Sequence, residues 1–389
     1  MFESIAIGHA ALTDGAIVGT LAECLLFYGR VHVIVDSGTF TTLARVCGPD
    51  TLLGFVEDGN LAVTYLENRT AVARRGNEER FGLVTFQAKG LDSQTYIPRM
   101  FQELTGKSGK GRRLASRLLA RISTTQYHSS ELTGVIDELI DPLYTDRVIP
   151  ELLSAIVPGY IPPANLVFRV HRESEFFIVE TNLHLDNVNA EYQRTHPQGK
   201  LTSDLLVTYL YGGSADLAFA ANKASELACV KIESVIAEAR LNAALAKSTY
   251  SANARSAFQK IVVPRARSVA EAVNDGYRSL EDVRRLLPKA AQFKTWLASQ
   301  PDDADLIQEY VQQTTSLEWT SKLPTKSLRF ILFNAAQVGL GAAIAGLPGA
   351  VAGVAIAAAD SFLLDKLTVG WKPHQFIRGP FADFLGSQT

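Results

Sequence analysis

The residues best suited to chemistry in this chain are a basic, glycine-rich stretch at 106–123, GKSGKGRRLASRLLARIS, and a group of histidines between 171 and 196. Consecutive backbone amides leading into a helix can cradle an anion, so the first stretch invites a phosphate-loop reading. Its spacing argues against one. Phe101 stands where such a loop needs a glycine five residues before Gly106-Lys107-Ser108, and no strand-like run lies immediately upstream. What remains is a basic ridge: Lys107, Lys110, Arg112, Arg113, Arg117 and Arg121 are six cations with no acid between Gly106 and Ser130. Arg113, Arg117 and Arg121 follow the four-residue step of one helical face. Glu131, Asp137, Glu138, Asp141, Asp146 and Glu151 follow and almost cancel that charge. Ion pairing between the two stretches is therefore expected ahead of a phosphate or lipid-headgroup site, because charge runs are usually paired or solvated faces.

His171, His184 and His196 are accompanied by Glu173, Glu175, Glu180 and Asp186. Such a set could ligate a metal, but no helical His-Glu-x-x-His pattern fixes two ligands at once, so ordinary surface histidines around a hairpin are expected. Pro49-Asp50 with Gln87-Ala88-Lys89 has a faint likeness to the acidic and lysine residues of restriction-type nucleases. Gln87 stands where the second carboxylate belongs, which leaves a metal held by two acids without support. There is no Gly-x-Ser-x-Gly elbow, and no cysteine has a setting with histidine that would make a nucleophile. No catalytic residue, cofactor or metal is assigned.

One segment is unusual in composition. From Phe330 to Ala359 thirty residues pass without a charge, and 16 of them are Gly or Ala. Gly346-Leu347-Pro348-Gly349 interrupts the run, which predicts two helices folded back on each other. Each arm is close to the shortest length that spans a bilayer. Gly339, Gly346 and Gly353 recur every seven residues, and Gly349 and Gly353 form a small-xxx-small pair, which lets helix backbones approach closely. Lys322, Lys326 and Arg329 precede the run, and Trp371, Lys372, His374, Phe376 and Arg378 follow it, as cations and aromatics flank an interfacial anchor. A tightly packed helical core has the same composition, since Ala favours helix and lets neighbours approach. Buried core or oligomer contact and conditional membrane hairpin both stay open, with Gly339, Gly341, Gly346, Gly349, Gly353, Trp371 and Phe376 as the contact residues.

The elements around these segments follow from pattern. At 389 residues, 47% hydrophobic and 20% charged, the chain is long enough for two or three domains and too apolar for wholesale disorder. A formal charge of −2 gives no global pull toward nucleic acid. Cysteines at 24, 47 and 229 are too few and scattered for a disulfide framework. The first cation is Arg30, so the basic start of a secretory signal is missing, and a cytoplasmic setting is expected.

AIVGTLAECLLFY (16–28) predicts a helix ended by a left-handed Gly29, followed by a strand RVHVIVD (30–36) and a helix to Cys47 capped by Ser37 or Thr39. LAVTYLE, TAVARR and FGLVTFQ read as three strands. Helices are expected from Tyr96 to about Ile156, a linker at PGYIPP (158–163), and a hairpin with Leu166, Phe168 and Val170 on one face. After Gly213-Ser214 the pattern is helical almost to the end, with Ser279 and Asp282 forming a capping box.

The expected fold class is α+β, with a mixed α/β module at 1–92, a helical segment at 93–157, a linker and hairpin unit at 158–212, a helical domain at 213–328, and the apolar hairpin with its tail at 329–389. The leading functional expectation is a cytoplasmic, non-enzymatic protein that assembles and conditionally engages a membrane or partner through its apolar hairpin, in the manner of a membrane-perturbing effector. The alternative is an enzyme acting on a phosphorylated or nucleic-acid substrate through Lys107, Lys110, Arg113, Arg117 and Arg121. The partners implied are a second copy or membrane lipid; nucleic acid is disfavoured, and a small-molecule ligand is left open.

Overall fold

The computed structural model describes residues 2–9, 11–12, 17–74, 80–87, 89–126, 137, 139–173, 176–228, 234–236, 253–255, 258–259, 263, 267–300, 306, 309–310 and 373–386. The fold is mixed α+β, and the chain divides into two compact units. The larger unit comprises Glu3–Leu25 and Arg30–Ser248; the smaller comprises Met1–Phe2, Leu26–Gly29 and Thr249–Thr389.

The larger unit is built on two sheets. The first joins β1 (Ser4–Ile7), β2 (Arg30–Val35), β3 (Leu61–Leu66), β6 (Ser123–Thr125) and β9 (Glu226–Ala228) in the order β6-β3-β2-β1-β9, every pair parallel. A parallel sheet is covered on both faces, so its strands read as nearly continuous apolar runs. Here Ile5, Ile7, Val31, Val33, Val35, Val63 and Tyr65 are buried on one face. Ala6, Ile34, Leu66 and Leu227 are buried on the other. The helices that follow the first strands are α1 (Ile17–Phe27), α2 (Ser37–Cys47), α3 (Pro49–Glu57), α4 (Ser93–Thr105) and α5 (Ser108–Leu119).

The second sheet is antiparallel, ordered β4 (Arg69–Arg74), β5 (Arg80–Phe86), β8 (Phe176–Thr181), β7 (Phe168–Glu173). Phe168, Val170, Phe177 and Val179 form a core with Ile149, Leu152 and Leu153 of α6 (Pro142–Ile156), Val188 of α7 (Leu185–Thr195), and Leu206 and Leu210 of α8 (Ser203–Asn222). Helix α8 serves both sheets: its later residues Phe219 and Ala220 pack on Ala6, Ile34, Leu66 and Leu227 of the parallel sheet. A helix buried against two partners has apolar residues on more than one face, and α8 has them.

Several local expectations hold. The helix and strand expected at 16–36 are α1 and β2, the three strands between 61 and 87 are β3, β4 and β5, and the hairpin forms with Phe168 and Val170 inward. Others are corrected. The cap of α2 is Asp36, whose carboxylate accepts from Gly38 and Thr39 while Thr39 Oγ1 accepts from the Asp36 N–H. Gly29 is not left-handed; its N–H donates to the Phe2 carbonyl. The helix expected only after Gly213-Ser214 begins at Ser203 and runs through both glycines. Gly213 is needed there because a Cβ would lie 2.8 Å from Ile236. That helix then stops at Asn222, and Glu226–Ala228, expected as helix, is strand β9 beside β1. Tertiary pairing overrides local helix preference in so short a segment.

In the smaller unit, α9 (Val269–Asn274) and α10 (Leu280–Ala298) each start with a capping box, Ser268 with Glu271 and Ser279 with Asp282, the latter as expected. They are followed near the end of the chain by α11 (Pro373–Phe376), a π-helical turn (Ile377–Phe381) and α12 (Ala382–Leu385). The core is aromatic: Phe293 of α10 meets Phe27, Phe258, Trp296 and Phe376 with ring centroids 4.9–6.3 Å apart. Arg278 ties α12 down by donating to the carbonyls of Asp383 and Phe384.

Candidate functional site

Parallel sheets place the ends of successive strands side by side, and ligands of such folds bind beyond the carboxyl ends, where crossovers leave to opposite sides. In this sheet β1 is that position, with β2 on one side and β9, reached much later in the chain, on the other. The register that puts Ile7 beside Val33 and Val35 beside Tyr65 brings three polar residues to the same edge: His9 after β1, Asp36 after β2 and Glu67 after β3.

His9 Nε2 lies 3.7 Å from Asp36 Oδ1, too long for a hydrogen bond. The two side chains are 44% and 14% exposed, so the ring can be reached from solvent while the carboxylate is largely enclosed. The His9 backbone N–H donates to Asp216 Oδ2 at 2.7 Å. Asp216 comes from α8 and is 2% exposed, so this buried charge is committed to fixing the end of β1. Beside the pair, the hydroxyls of Thr41 and Tyr96 are hydrogen-bonded at 2.6 Å.

The electrostatics of the edge are set by its own acids. Asp36 Oδ1 accepts from Gly38 N and Thr39 N at 2.9 Å each, at the start of α2. At the start of α4, Asp92 accepts from Thr95 N at 2.9 Å and Glu67 accepts from the Ser93 N–H at 3.0 Å and from its hydroxyl. Free helix N-termini attract anions. Carboxylates of the chain occupy both of these, so the edge suits an uncharged or cationic polar molecule rather than a phosphate. Burial pushes the Cys47 thiol up to about 12, which removes it as a nucleophile. Among the described residues no group of three or more His, Cys, Asp or Glu is arranged to hold a metal ion.

The basic ridge is arranged differently from the expectation. Lys110 pairs with Asp50 at 2.7 Å; Arg117 forks onto Glu57, with Nη2 2.7 Å from Oε2, and Arg121 approaches the same carboxylate at 3.5 Å. Among the described residues the acids they meet are therefore on α3, which α5 packs against. Of that stretch, Asp146 pairs with Arg169 and Asp137 with Arg172, both on β7. Lys107 and Arg113 are exposed. The glycines have structural work: Gly106 is the left-handed cap of α4, and Gly111 lets α5 cross α4 so closely that a Cβ would sit 2.6 Å from the Gln102 backbone.

The histidines expected to be ordinary surface groups are dispersed. His171 pairs with Glu180 at 3.0 Å across the hairpin, His184 opens α7, and His196 stacks on Tyr192 at 4.4 Å. Asp50, the acid of the nuclease-like set, is the partner of Lys110. Gly339, Gly341, Gly346, Gly349, Gly353 and Trp371 lie outside the described residues. Phe376 is 3% exposed and stacks on Phe293 at 4.9 Å and Phe381 at 5.5 Å, which commits its ring to the interior of the smaller unit. Among the described residues no helix is long and apolar enough to cross a membrane.

Sequence reasoning missed His9, Asp36 and Asp216. The first two had a signal, a polar residue directly after an apolar β run, in SIAIGH and RVHVIVD; Asp216, an acid inside the small and apolar GGSADLAFAA, was visible only as an oddity. No protein-family model matches the chain, and neither the curated proteins nor the solved structures contain a match to it.

Proposed function

We propose that the larger unit is a binding module for a small uncharged or cationic polar molecule at the carboxyl edge of its parallel sheet, with His9 as the group that exchanges a proton with that molecule. The observation that carries this reading is the placement of the solvent-reachable His9 ring 3.7 Å from the enclosed Asp36 carboxylate while Asp216 pins the His9 backbone. A carboxylate beside a solvent-reachable imidazole can orient the ring toward a bound ligand, and an imidazole is suited to exchange a proton with it. The test is thermal unfolding of the full chain against panels of amino acids, polyamines, nucleosides and sugars, with wild type, His9→Ala and Asp36→Asn. Asn keeps the helix cap and removes the charge. At least one compound is expected to raise the wild-type midpoint and to lose that effect in both variants. If none stabilises the wild type, or if stabilisation is the same in all three proteins, the reading fails.

A second reading rests on the uncharged, Gly/Ala-rich segment 330–359. In it, the protein assembles and conditionally engages a membrane or a partner through that segment, without catalysis. Fractionation of the native protein with and without 330–359 tests it: membrane association or assembly that disappears with the deletion supports the reading, and identical behaviour of both forms removes it.

A further inference from the structure

The opposite, amino edge of the parallel sheet carries a second set of side chains, in which Arg30 and Lys223 stand among the acids Glu3, directly before β1, and Glu226, the first residue of β9. Register places Arg30 of β2 beside Ser4 of β1, and pairing of Ile5 with Glu226 puts Ser225, just ahead of β9, beside Ser4 on its other side. Neighbouring strands are about 4.8 Å apart, so these three form one row across the edge. His32 lies two residues along β2, on the same face as Arg30 and in register with Ala6. The Ser4 and Ser225 hydroxyls are hydrogen-bonded to each other. Lys223 comes over this face from the end of α8: its Nζ sits 5.7 Å from the ring of Phe219, which packs on Ala6, Ile34 and Leu227.

Among the described residues no ion pair joins Arg30 or Lys223 to a carboxylate, although thirteen such contacts occur elsewhere in them. Nor are they needed to satisfy the end of α8. Lys223 N donates to the Phe219 carbonyl, Ala224 N to Ala221 and Ser225 N to Ala220, so the last turn is closed by backbone bonds. The turn that places Lys223 and Ser225 on either side is strained, because Ala224 takes φ +48°, a left-handed conformation that favours glycine. The His32 imidazole is held below its ordinary range, first by burial and then by the positive fields of Arg30 and Lys223. On its own face it meets Arg30 from its strand and Lys223 from the turn before β9, with Ala6 of β1 and Ala62 of β3 in register beside it, while the acids Glu3, directly before β1, and Glu226 of β9 lie at the same edge.

We infer that Arg30, His32 and Lys223, with the Ser4 and Ser225 hydroxyls, form an anion site at the amino edge of the sheet that takes the terminal phosphate of a small phosphomonoester. Two full cations and a ring that becomes a third when it is protonated match the charge of a phosphate dianion; of the two hydroxyl protons one lies between Ser4 and Ser225, and the other can turn to the anion from the Lys223 carbonyl, 3.1 Å from Ser225 Oγ. The site is separate from the carboxyl edge and does not depend on the reading given to His9. A free phosphomonoester and a phosphorylated lipid headgroup share this chemistry, and the experiment separates them.

The test follows the His32 ring resonances of the full chain by NMR, assigned with His32→Asn, during titration with inorganic phosphate and then with vesicles containing phosphatidic acid; sodium chloride at equal ionic strength is the control. Phosphate is expected to shift the His32 resonances and to raise its titration midpoint, because a bound dianion offsets the two cations. Lys223→Gln and Arg30→Gln should each weaken phosphate binding roughly tenfold, the loss of one charge-assisted hydrogen bond. Ser225→Ala, which removes no charge, should weaken it less and guards against a charge variant that fails to fold. A response to vesicles and not to inorganic phosphate would assign the site to a lipid headgroup. No response beyond chloride, or a phosphate response unchanged in the Lys223 and Ser225 variants, would show that these cations are ordinary surface charges and overturn the inference.

Discussion

Two glycines on one helix make opposite predictions for the same substitution. Gly109 and Gly111 both lie in α5, and replacing either by Ala improves intrinsic helix propensity by about 1 kcal/mol. At Gly109 nothing lies within 4 Å of the new Cβ, so Gly109→Ala should stabilise the larger unit by about 0.5–1 kcal/mol. At Gly111 the Cβ would lie 2.6 Å from the Cα and N of Gln102 and 2.7 Å from the carbonyl carbon of Phe101. Those are backbone atoms of α4, which cannot rotate away as a side-chain end could. The two helices must separate, which loosens Phe101, Leu114 and Leu118, all fully or nearly fully buried between them and their neighbours. Overpacking of this kind costs about 1–3 kcal/mol and here outweighs the propensity gain. Urea unfolding of the full chain, with hydrogen exchange read at the α4 and α5 amides, should show Gly109→Ala slowing exchange and Gly111→Ala accelerating it. Shifts of the same sign in both variants would refute the close-crossing account of why this stretch is rich in glycine.

Ala224→Gly should stabilise by about 1 kcal/mol, because it relieves a left-handed alanine at the end of α8; a destabilised variant in chemical unfolding would contradict the backbone assignment. Glu57→Gln should cost less than about 1 kcal/mol, since the Arg117 partner is half exposed, while increasing retention on an anionic resin as Arg117 and Arg121 are released. Burial lowers Lys294 from 10.5 to about 8, so the unfolded chain binds more protons between those values and stability should rise as pH increases from about 8 toward 10.5. Lys294→Met should flatten that rise and stabilise the smaller unit at pH 7, and an unchanged slope would show that another group is responsible. A Lys at Gly341 or Ala355 should abolish any membrane association at a cost of about 2.5–3.5 kcal/mol on insertion while the chain stays folded, if 330–359 enters a bilayer; unfolding of every such variant, with no sedimentation of the parent on membranes, would place the segment in a core.

Local chemistry fixed much of the secondary structure in advance. The alternation in RVHVIV, LAVTYL and FRVHRE and the Ser279-Asp282 cap each depend on near neighbours in sequence, and each is found as expected. What sequence alone left undecided was which strand meets which. SIAI is too short to stand out, ELA sits in a helix-prone run, and β3 and β4 are neighbours in sequence that join different sheets. Pairing depends on contacts across long separations, such as the 207 residues between His9 and Asp216, and no local pattern encodes them. The ion pairs show the same physics. Glu57 and Arg117 are 60 residues apart and meet because α5 packs on α3, whereas Asp137 and Asp146, nearer to Arg117 in sequence, pair with Arg172 and Arg169 of β7. The sequence by itself thus determined most of the longer elements, the α+β class and the charge balance, all of which are sums over local terms, while the three-residue strands β6 and β9 were not legible in it. The two sheet edges, one with His9 beside Asp36 and one with His32 between Arg30 and Lys223, exist only once parallel register has brought residues from separate stretches of chain into rows, and that is a property of the tertiary structure.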